Sequence, residues 1–195
     1  MNKILIIDIE TTGFLNKGGS IVEIGAVELD LRNGQIKEVF SSLCREKILT
    51  EKHRKHPFGW IFENSDLKID DVRNAPYFES VKNDFQEIIN KYPLGVTAFN
   101  NDFDFGFLED RGINFPIKLG CPMKISTDIC KIPHQNRMGY KWPKVEEAFY
   151  FFFPGIDYKE KHRGADDAHH EAMIVYELFK MGKFKINETN NRQLT

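Results

Sequence analysis

Long apolar runs are missing from this chain. The opening stretch Ile4 to Ile7 is broken by Asp8 after four residues. A membrane span needs about 20 apolar residues, and a signal peptide needs a longer apolar centre. No later stretch is long enough to span either, so the chain is expected to be cytoplasmic and to have no membrane partner. Cysteine is also scarce. Cys44, Cys121 and Cys130 are odd in number and show no C-x-x-C spacing. They read as reduced thiols, and a disulfide or zinc framework is excluded. Excess positive charge is absent as well: 27 Lys and Arg stand against 29 Asp and Glu, a net charge of −2. That rules out a basic coat binding nucleic acid over the whole surface, though not a local basic track. Phenylalanine, by contrast, is plentiful, with 17 in 195 residues. Such rings fill a core or stack on a ligand. With 41% apolar and 29% charged residues, the length suits one sizeable domain. Residues 1–182 form that domain, and the polar, Asn-rich residues 183–195 read as a frayed tail.

The stretch LIIDIETT, Leu5 to Thr12, organises the rest. Ile4 to Ile7 read as a buried strand. Alternation places Asp8 and Glu10 on one face, roughly 7 Å apart along the backbone. Two acids closing a buried strand are costly unless a cation or water compensates them. An isolated D-x-E more often marks a strand ending in solvent, so the rest of the chain must supply the case.

Residues 20–30 alternate as a second strand, Asn33-Gly34 makes a hairpin turn, and residues 36–44 return as a third. Residues 45–56 hold five Lys or Arg, two Glu and two His. Such a run usually forms a solvated face, with phosphate-backbone contact as the lesser reading. In HPFGWIF the aromatics dock a loop on the core or, less often, reach a substrate base. Phe78, Val81, Phe85, Ile88 and Tyr92 recur at helical spacing over 77–92, and GVTAFN, 95–100, reads as a further strand. A helix is expected from Asn101 or Asp102 to Gly112. In it Asp104 shares a face with Phe107 and Leu108, which suggests either an acid facing inward or a first-turn capping acid. A short strand is expected around Ser126 to Cys130. The loop HQNRMGYKWP interleaves Arg137, Lys141 and Lys144 with Trp142, which suits nucleic acid or a loop docked by its tryptophan. Residues 145–153 read as a short helix. The last helix, from about Ala165, carries Ala168, Ala172, Val175 and Phe179 on one stripe. Ile174 and Leu178 form the other, which reaches back to Asp167. His162 lies five residues earlier, where a histidine is more often structural than catalytic. His169 and His170 read as packing or exposed residues, since adjacent side chains on a helix diverge.

Asp8, Glu10, Asp104 and Asp167 make an oxygen-only donor set, suited to Mg²⁺ or Mn²⁺ and unsuited to zinc. Two such ions serve phosphoryl chemistry. The segments DIETTG, FNNDFDFGFL and HRGADDA resemble the three motifs of the DEDDh 3′–5′ exonucleases. That family includes the proofreading subunit of bacterial replicative polymerase, ribonuclease T and oligoribonuclease. Lesser likenesses, IVEIGAVEL, DVRNAPYF and YKWPKVEEA, extend the resemblance over about residues 3–181. Phe99 stands where the family often has a histidine. The resemblance implies a ribonuclease-H-like α/β three-layer sandwich, a five-stranded mixed sheet with helices on both faces. It implies metal ligands Asp8, Glu10, Asp104 and Asp167, with Asp8 bridging two ions, and His162 as general base. It also implies terminal-nucleotide contacts from Thr11, Thr12, Gly13, Asn100 and Phe103. The substrate would be nucleic acid with a free 3′ end, DNA or RNA, and a homodimer or a polymerase partner is left open. Two rivals stand beside it. One is a phosphatase of the haloacid dehalogenase type, for which Asp8-Ile9-Glu10-Thr11-Thr12 is a near miss. The other is a non-catalytic nucleic-acid-binding module of the same fold.

Overall fold

A computed structural model describes residues 2–47, 49–55 and 58–186. Strand β1 (Lys3–Thr11) is the centre of the sheet. It pairs antiparallel with β2 (Ile21–Asp30) on one side and parallel with β4 (Val96–Thr97) on the other. Strand β3 (Gln35–Leu43) returns from the Asn33-Gly34 turn and pairs with β2, so the order is β3-β2-β1-β4. Gly34 has φ 76° there, and the Asn33 side chain accepts the Gln35 N–H at 2.9 Å.

The period of two along β1 creates the layers. Ile4 and Ile6 join one core, with Val27 and Leu29 of β2. That face is covered by α6 (Val145–Phe152) and α7 (Gly164–Lys180), through Ala148, Phe149, Ala168, Ala172, Val175 and Leu178. Leu5, Ile7 and Ile9 join the opposite core. There α3 (Phe78–Asn90) supplies Phe78, Phe85 and Ile89, and α4 (Asn101–Asp110) supplies Phe105, Phe107 and Leu108. The result is the expected three-layer sandwich. A satellite cluster of Val22, Leu49, Ile61, Leu67, Ile69 and Val72 gathers two short helices, α1 (Trp60–Asn64) and α2 (Ile69–Asn74). Neither helix was expected from the sequence.

The expected fifth strand is not formed among the described residues. Its place beside β4 holds one parallel bridge, Val96 to Lys118, with Val96 N–H donating to the Ile117 carbonyl at 3.0 Å. Residues around Ser126 to Cys130, expected as a strand, lie in helix α5 (Pro122–Cys130). Pro122 suits the first helical position. The buried positions Pro122, Met123 and Ser126, with Ile129 half-buried on the same core, follow helical spacing, although Ile125, Thr127 and Ile129 alternate like a strand. Strand β4 is shorter than expected because the Asn101 side chain takes over its edge. It accepts the Ala98 N–H at 2.8 Å and donates to the Leu119 carbonyl at 2.9 Å.

In the basic 45–56 run, Arg54 is taken up by acids. Arg54 and Arg73 share Glu51 and Asp70, and Arg45 lies over the Tyr77 ring at 4.1 Å. Ile48, His56 and Pro57 of the expected segments lie outside the described residues. Trp142 docks no loop; it is 60% exposed. Phe184, expected in the polar tail, is instead buried in the α7-side core, and its N–H donates to the Leu178 carbonyl at 3.1 Å. Residues 187–195 of that tail lie outside the described residues. No described helix is long and apolar enough to cross a membrane.

Candidate active site

Asp8 and Glu10 have the same parity as Ile4 and Ile6, so both leave β1 towards α7. The start of α7 sits directly on β2. A side chain at Gly25 would meet the Ala165 nitrogen and the Gly164 carbonyl carbon, each 2.0 Å from its Cβ. Only a glycine permits that approach, and it brings Asp167, in the first turn of α7, against the acids of β1. Asp104 arrives from the other side, in the first turn of α4. Its Oδ1 accepts the Ile9 N–H at 3.2 Å, which ties α4 to the strand between the two catalytic candidates.

The acids converge. Glu10, His162 and Asp167 each place one ligand atom within 4.8 Å of the others. Asp8, Glu10, Asp104 and His162 line one cavity of about 680 Å³. All five expected nucleotide-contact residues, Thr11, Thr12, Gly13, Asn100 and Phe103, line the same cavity. Thr12 faces inward, and its hydroxyl accepts the Ser20 N–H at 2.9 Å, so it shapes the loop 13–20. Phe103 meets Phe14 edge-on, with ring centroids 6.4 Å apart, and the two form an apolar wall. Asp8 is partly exposed as a residue, yet its Oδ2 is buried with no hydrogen-bond partner among the described residues. An orphaned carboxylate oxygen within an oxygen-rich donor set fits a hard divalent cation.

The family model for exonucleases (RNase_T) matches residues 5–176. The chain belongs to the exonuclease family. Among curated relatives, the exonuclease is 28% identical over 179 residues to a PolC-type DNA polymerase III of Clostridium perfringens. It is 24% identical over 191 residues to that of Caldanaerobacter subterraneus. These matches cover 92% and 96% of the chain but only 11% and 12% of the relatives, so the chain spans about an eighth of their length or less. Among solved structures it is similar to the nuclease domain of 3′hExo, a DEDDh family member bound to rAMP. The TM-score is 0.71 at 20% identity, covering 96% of each chain. Cell-death related nuclease 4 (CRN-4) gives 0.68 at 15% identity, over 96% of this chain and 67% of that one. These likenesses place the exonuclease in the ribonuclease-H-like fold.

Burial governs the site's electrostatics. It holds the carboxyls of Asp8 and Glu10 well above the usual range, and neighbouring carboxylates add to this. Burial pushes Asp104 up to about 8, partly opposed by the Ile9 N–H. In His162 burial lowers the imidazole below its ordinary value, and that effect exceeds the opposing pull of the Asp167 and Glu146 carboxylates. The neutral, proton-accepting form is therefore favoured. His162 also has φ 54°, the left-handed region that few residues other than glycine enter. Two contacts hold it there. The Trp60 ring meets the imidazole edge-on at 4.8 Å. Arg163, the next residue, binds the buried Glu23 of β2, with Nη2 to Oε1 at 3.0 Å, and reaches Asp66 with Nη1 at 2.9 Å.

Three residues of the exonuclease's site were missed from sequence, Glu160, Glu171 and Arg163. Glu160 lines the cavity, and burial first, then Asp167, raises its carboxyl to about 7. Glu171 is 3% exposed and also lines the cavity. Its position one turn after Asp167 was a usable signal, since residues four apart on a helix share a face. Arg163 gave none, because its partners are remote in the chain, and Trp60, expected to dock a loop or reach a substrate base, lines the cavity against His162. Asp167 itself is well held: Tyr158 Oη donates to Oδ1 at 3.0 Å and the Arg163 N–H to Oδ2 at 2.8 Å. His170 takes no part in the site and stacks on Tyr158 at 4.1 Å.

Proposed function

We propose that the chain is a divalent-metal-dependent exonuclease that removes 5′-mononucleotides from the 3′ end of DNA or RNA. One observation carries this reading. The Glu10, His162 and Asp167 ligand atoms meet within 4.8 Å, and Glu10 and His162 line a cavity with an aromatic wall together with Asp8, whose Oδ2 is orphaned. Asp8, Glu10, Asp104 and Asp167 would hold two ions, Mg²⁺ or Mn²⁺. When bound, such ions supply Lewis acidity to the scissile phosphate and to the oxygen that leaves.

The chain's own residues supply the rest. Phe14 and Phe103 offer a face for the terminal base, and Asn100 and the backbone of Thr11 to Gly13 offer polar contacts to its sugar. His162, neutral and braced by Trp60, takes the proton from the attacking water. The rAMP bound to the 3′hExo nuclease domain is in keeping with a mononucleotide in such a cavity. The PolC-type relatives make a polymerase partner, or a place within a polymerase, the reading for its cellular setting. The phosphatase rival uses Asp8 as nucleophile and leaves Asp104, Asp167 and His162 without work. The binding-module rival predicts a lost ligand, and every expected ligand position is filled.

Single-stranded and duplex DNA and RNA, 5′-labelled, should each be incubated with Mg²⁺ or Mn²⁺. At least one should give a descending ladder that EDTA stops. Cleavage of a closed circular strand at a comparable rate would refute exonuclease action.

A further inference from the structure

The cavity carries more negative than positive charge. Asp8, Glu10, Asp104, Glu160 and Glu171 line it, and Lys17 is the only lysine or arginine among the described residues that does so. Glu10, Asp104 and Glu171 are buried, whereas Lys17 is exposed. The acids thus belong to the deep part of the wall and the cation to its open part. A nucleic-acid strand brings a negative charge with every phosphate, so a cation there has an obvious ligand.

The loop that carries Lys17 is held in place. Leu15–Lys17 form a single 3₁₀ turn after Phe14. The Lys17 N–H donates to the Phe14 carbonyl at 3.0 Å, the bond that closes such a turn, so the two residues are neighbours across it. Both line the cavity, and Phe14 makes the aromatic wall with Phe103. Gly18 ends the turn at φ 75°. At Gly19 a Cβ would come within 2.2 Å of the Gly13 carbonyl oxygen, so the loop folds tightly on itself. Two other basic side chains pin it. Lys47 Nζ donates to the Gly18 carbonyl at 2.8 Å, and Arg111 Nη2 to the Gly19 carbonyl at 2.9 Å. Arg111 is itself paired with Glu46 at 2.7 Å, whereas Lys17 makes no ion pair among the described residues. Its ammonium is left for a ligand.

We infer that Lys17 binds a backbone phosphate of the incoming strand, the one on the 5′ side of the penultimate nucleotide. The inference rests on the exonuclease reading above. In that reading the scissile phosphate lies over the buried acids and the terminal base against Phe14 and Phe103. The next phosphate in the 5′ direction is the first to lie beyond those acids, in the open part of the cavity. A lysine ammonium is a point charge that reads no base. Lys17 therefore sets a preference for length: strands with at least two phosphodiesters over a dinucleoside monophosphate, whose one phosphate is the scissile one.

Steady-state digestion by the full chain with Mn²⁺ tests this on single strands with a 5′-hydroxyl, the products separated by chromatography. With a trinucleoside diphosphate, Lys17→Gln should raise KM about 2- to 5-fold at low salt, the strength of one exposed ion pair. The slope of log KM against log salt should fall by about 0.7, as for one single-strand phosphate contact. An unchanged kcat shows that the variant is folded, and Lys17→Arg should restore both values. Neither effect should appear with a dinucleoside monophosphate, and a 5′-phosphate added to that dinucleotide should bring both back. If Lys17→Gln matches wild type on the longer strand, Lys17 binds no phosphate and the inference is overturned. Equal losses on both substrates overturn it as well, because the phosphate concerned would not be the upstream one. A wild type that degrades no strand refutes the exonuclease reading itself; an active wild type with an indifferent variant sinks Lys17 alone.

Discussion

Replacing Asp104 by asparagine should stabilise the metal-free protein. Burial raises the Asp104 carboxyl to about 8 in the folded state, while an aspartate in an unfolded chain titrates near 4. At pH 7 the folded protein still holds this proton and the unfolded chain has released it. The gap of about three pH units costs about 4 kcal/mol, at about 1.4 kcal/mol per unit. Asp8, Glu10 and Glu171 are raised by the same burial and the same mutual repulsion, so they share protons with Asp104. About 2 kcal/mol is then the lower figure. Asparagine carries no charge to suppress, and its Oδ1 can still accept the Ile9 N–H. For a chain of this size, 2–4 kcal/mol corresponds to about 5–15 °C in melting temperature. The direction with pH follows from the raised folded values. Wild-type stability is fully present below about pH 4 and is lost as pH rises towards about 8. The asparagine variant should therefore gain most near pH 8 in EDTA and nothing near pH 4. Added Mg²⁺ or Mn²⁺ should reverse the order, since wild type gains binding free energy that the variant lacks. Melting curves at several pH values, with and without metal, make the measurement. Equal melting temperatures at pH 8 in EDTA would refute the reasoning, as would a gap that persists unchanged at pH 4.

His162→Ala should lower the exonuclease rate roughly 10²–10⁴-fold and leave Mn²⁺ affinity little changed. With the imidazole held below its ordinary value, the wild-type rate should rise with pH only below about 6.5, and the variant should lack that limb; rates across pH at saturating Mn²⁺ decide it. Gly25→Ala would drive a methyl into the first turn of α7 and should cost about 3 kcal/mol or more in a urea titration, with loss of activity as Asp167 and His162 shift. Arg163→Ala leaves the carboxylate of Glu23, 2% exposed as a residue, without its partner. It should cost about 2–3 kcal/mol, and Glu23→Gln in the same chain should recover part of that loss.

Local pattern was enough for much of this molecule. The run Ile4 to Ile7 and the parity of Asp8 and Glu10 depend only on alternation along one strand, and β1 follows them. The Asn33-Gly34 turn, α3, α4 and α7 likewise declare themselves through turn chemistry and helical spacing. The catalytic candidates sit at the ends of these elements, so placing the elements places the candidates. Their convergence was implied by three motifs in order, and the cavity brings the expected residues together.

Other features have no local cause. Residues 122–130 carry β-branched alternation, and burial of Met123 and Ser126 selects the helix over the strand. The fifth strand shrinks to one bridge because the Asn101 side chain satisfies the edge of β4 from a helix. Trp60 braces His162 across about a hundred residues of chain, and Arg163 finds Glu23 only because glycine at 25 lets α7 approach β2. Glu171 stands on the Asp167 face of α7, but its place in one cavity with Asp8 and Asp104 depends on three elements crossing near one point. Periodicity reports which side of an element is buried. Which groups share that buried space is decided by long-range packing.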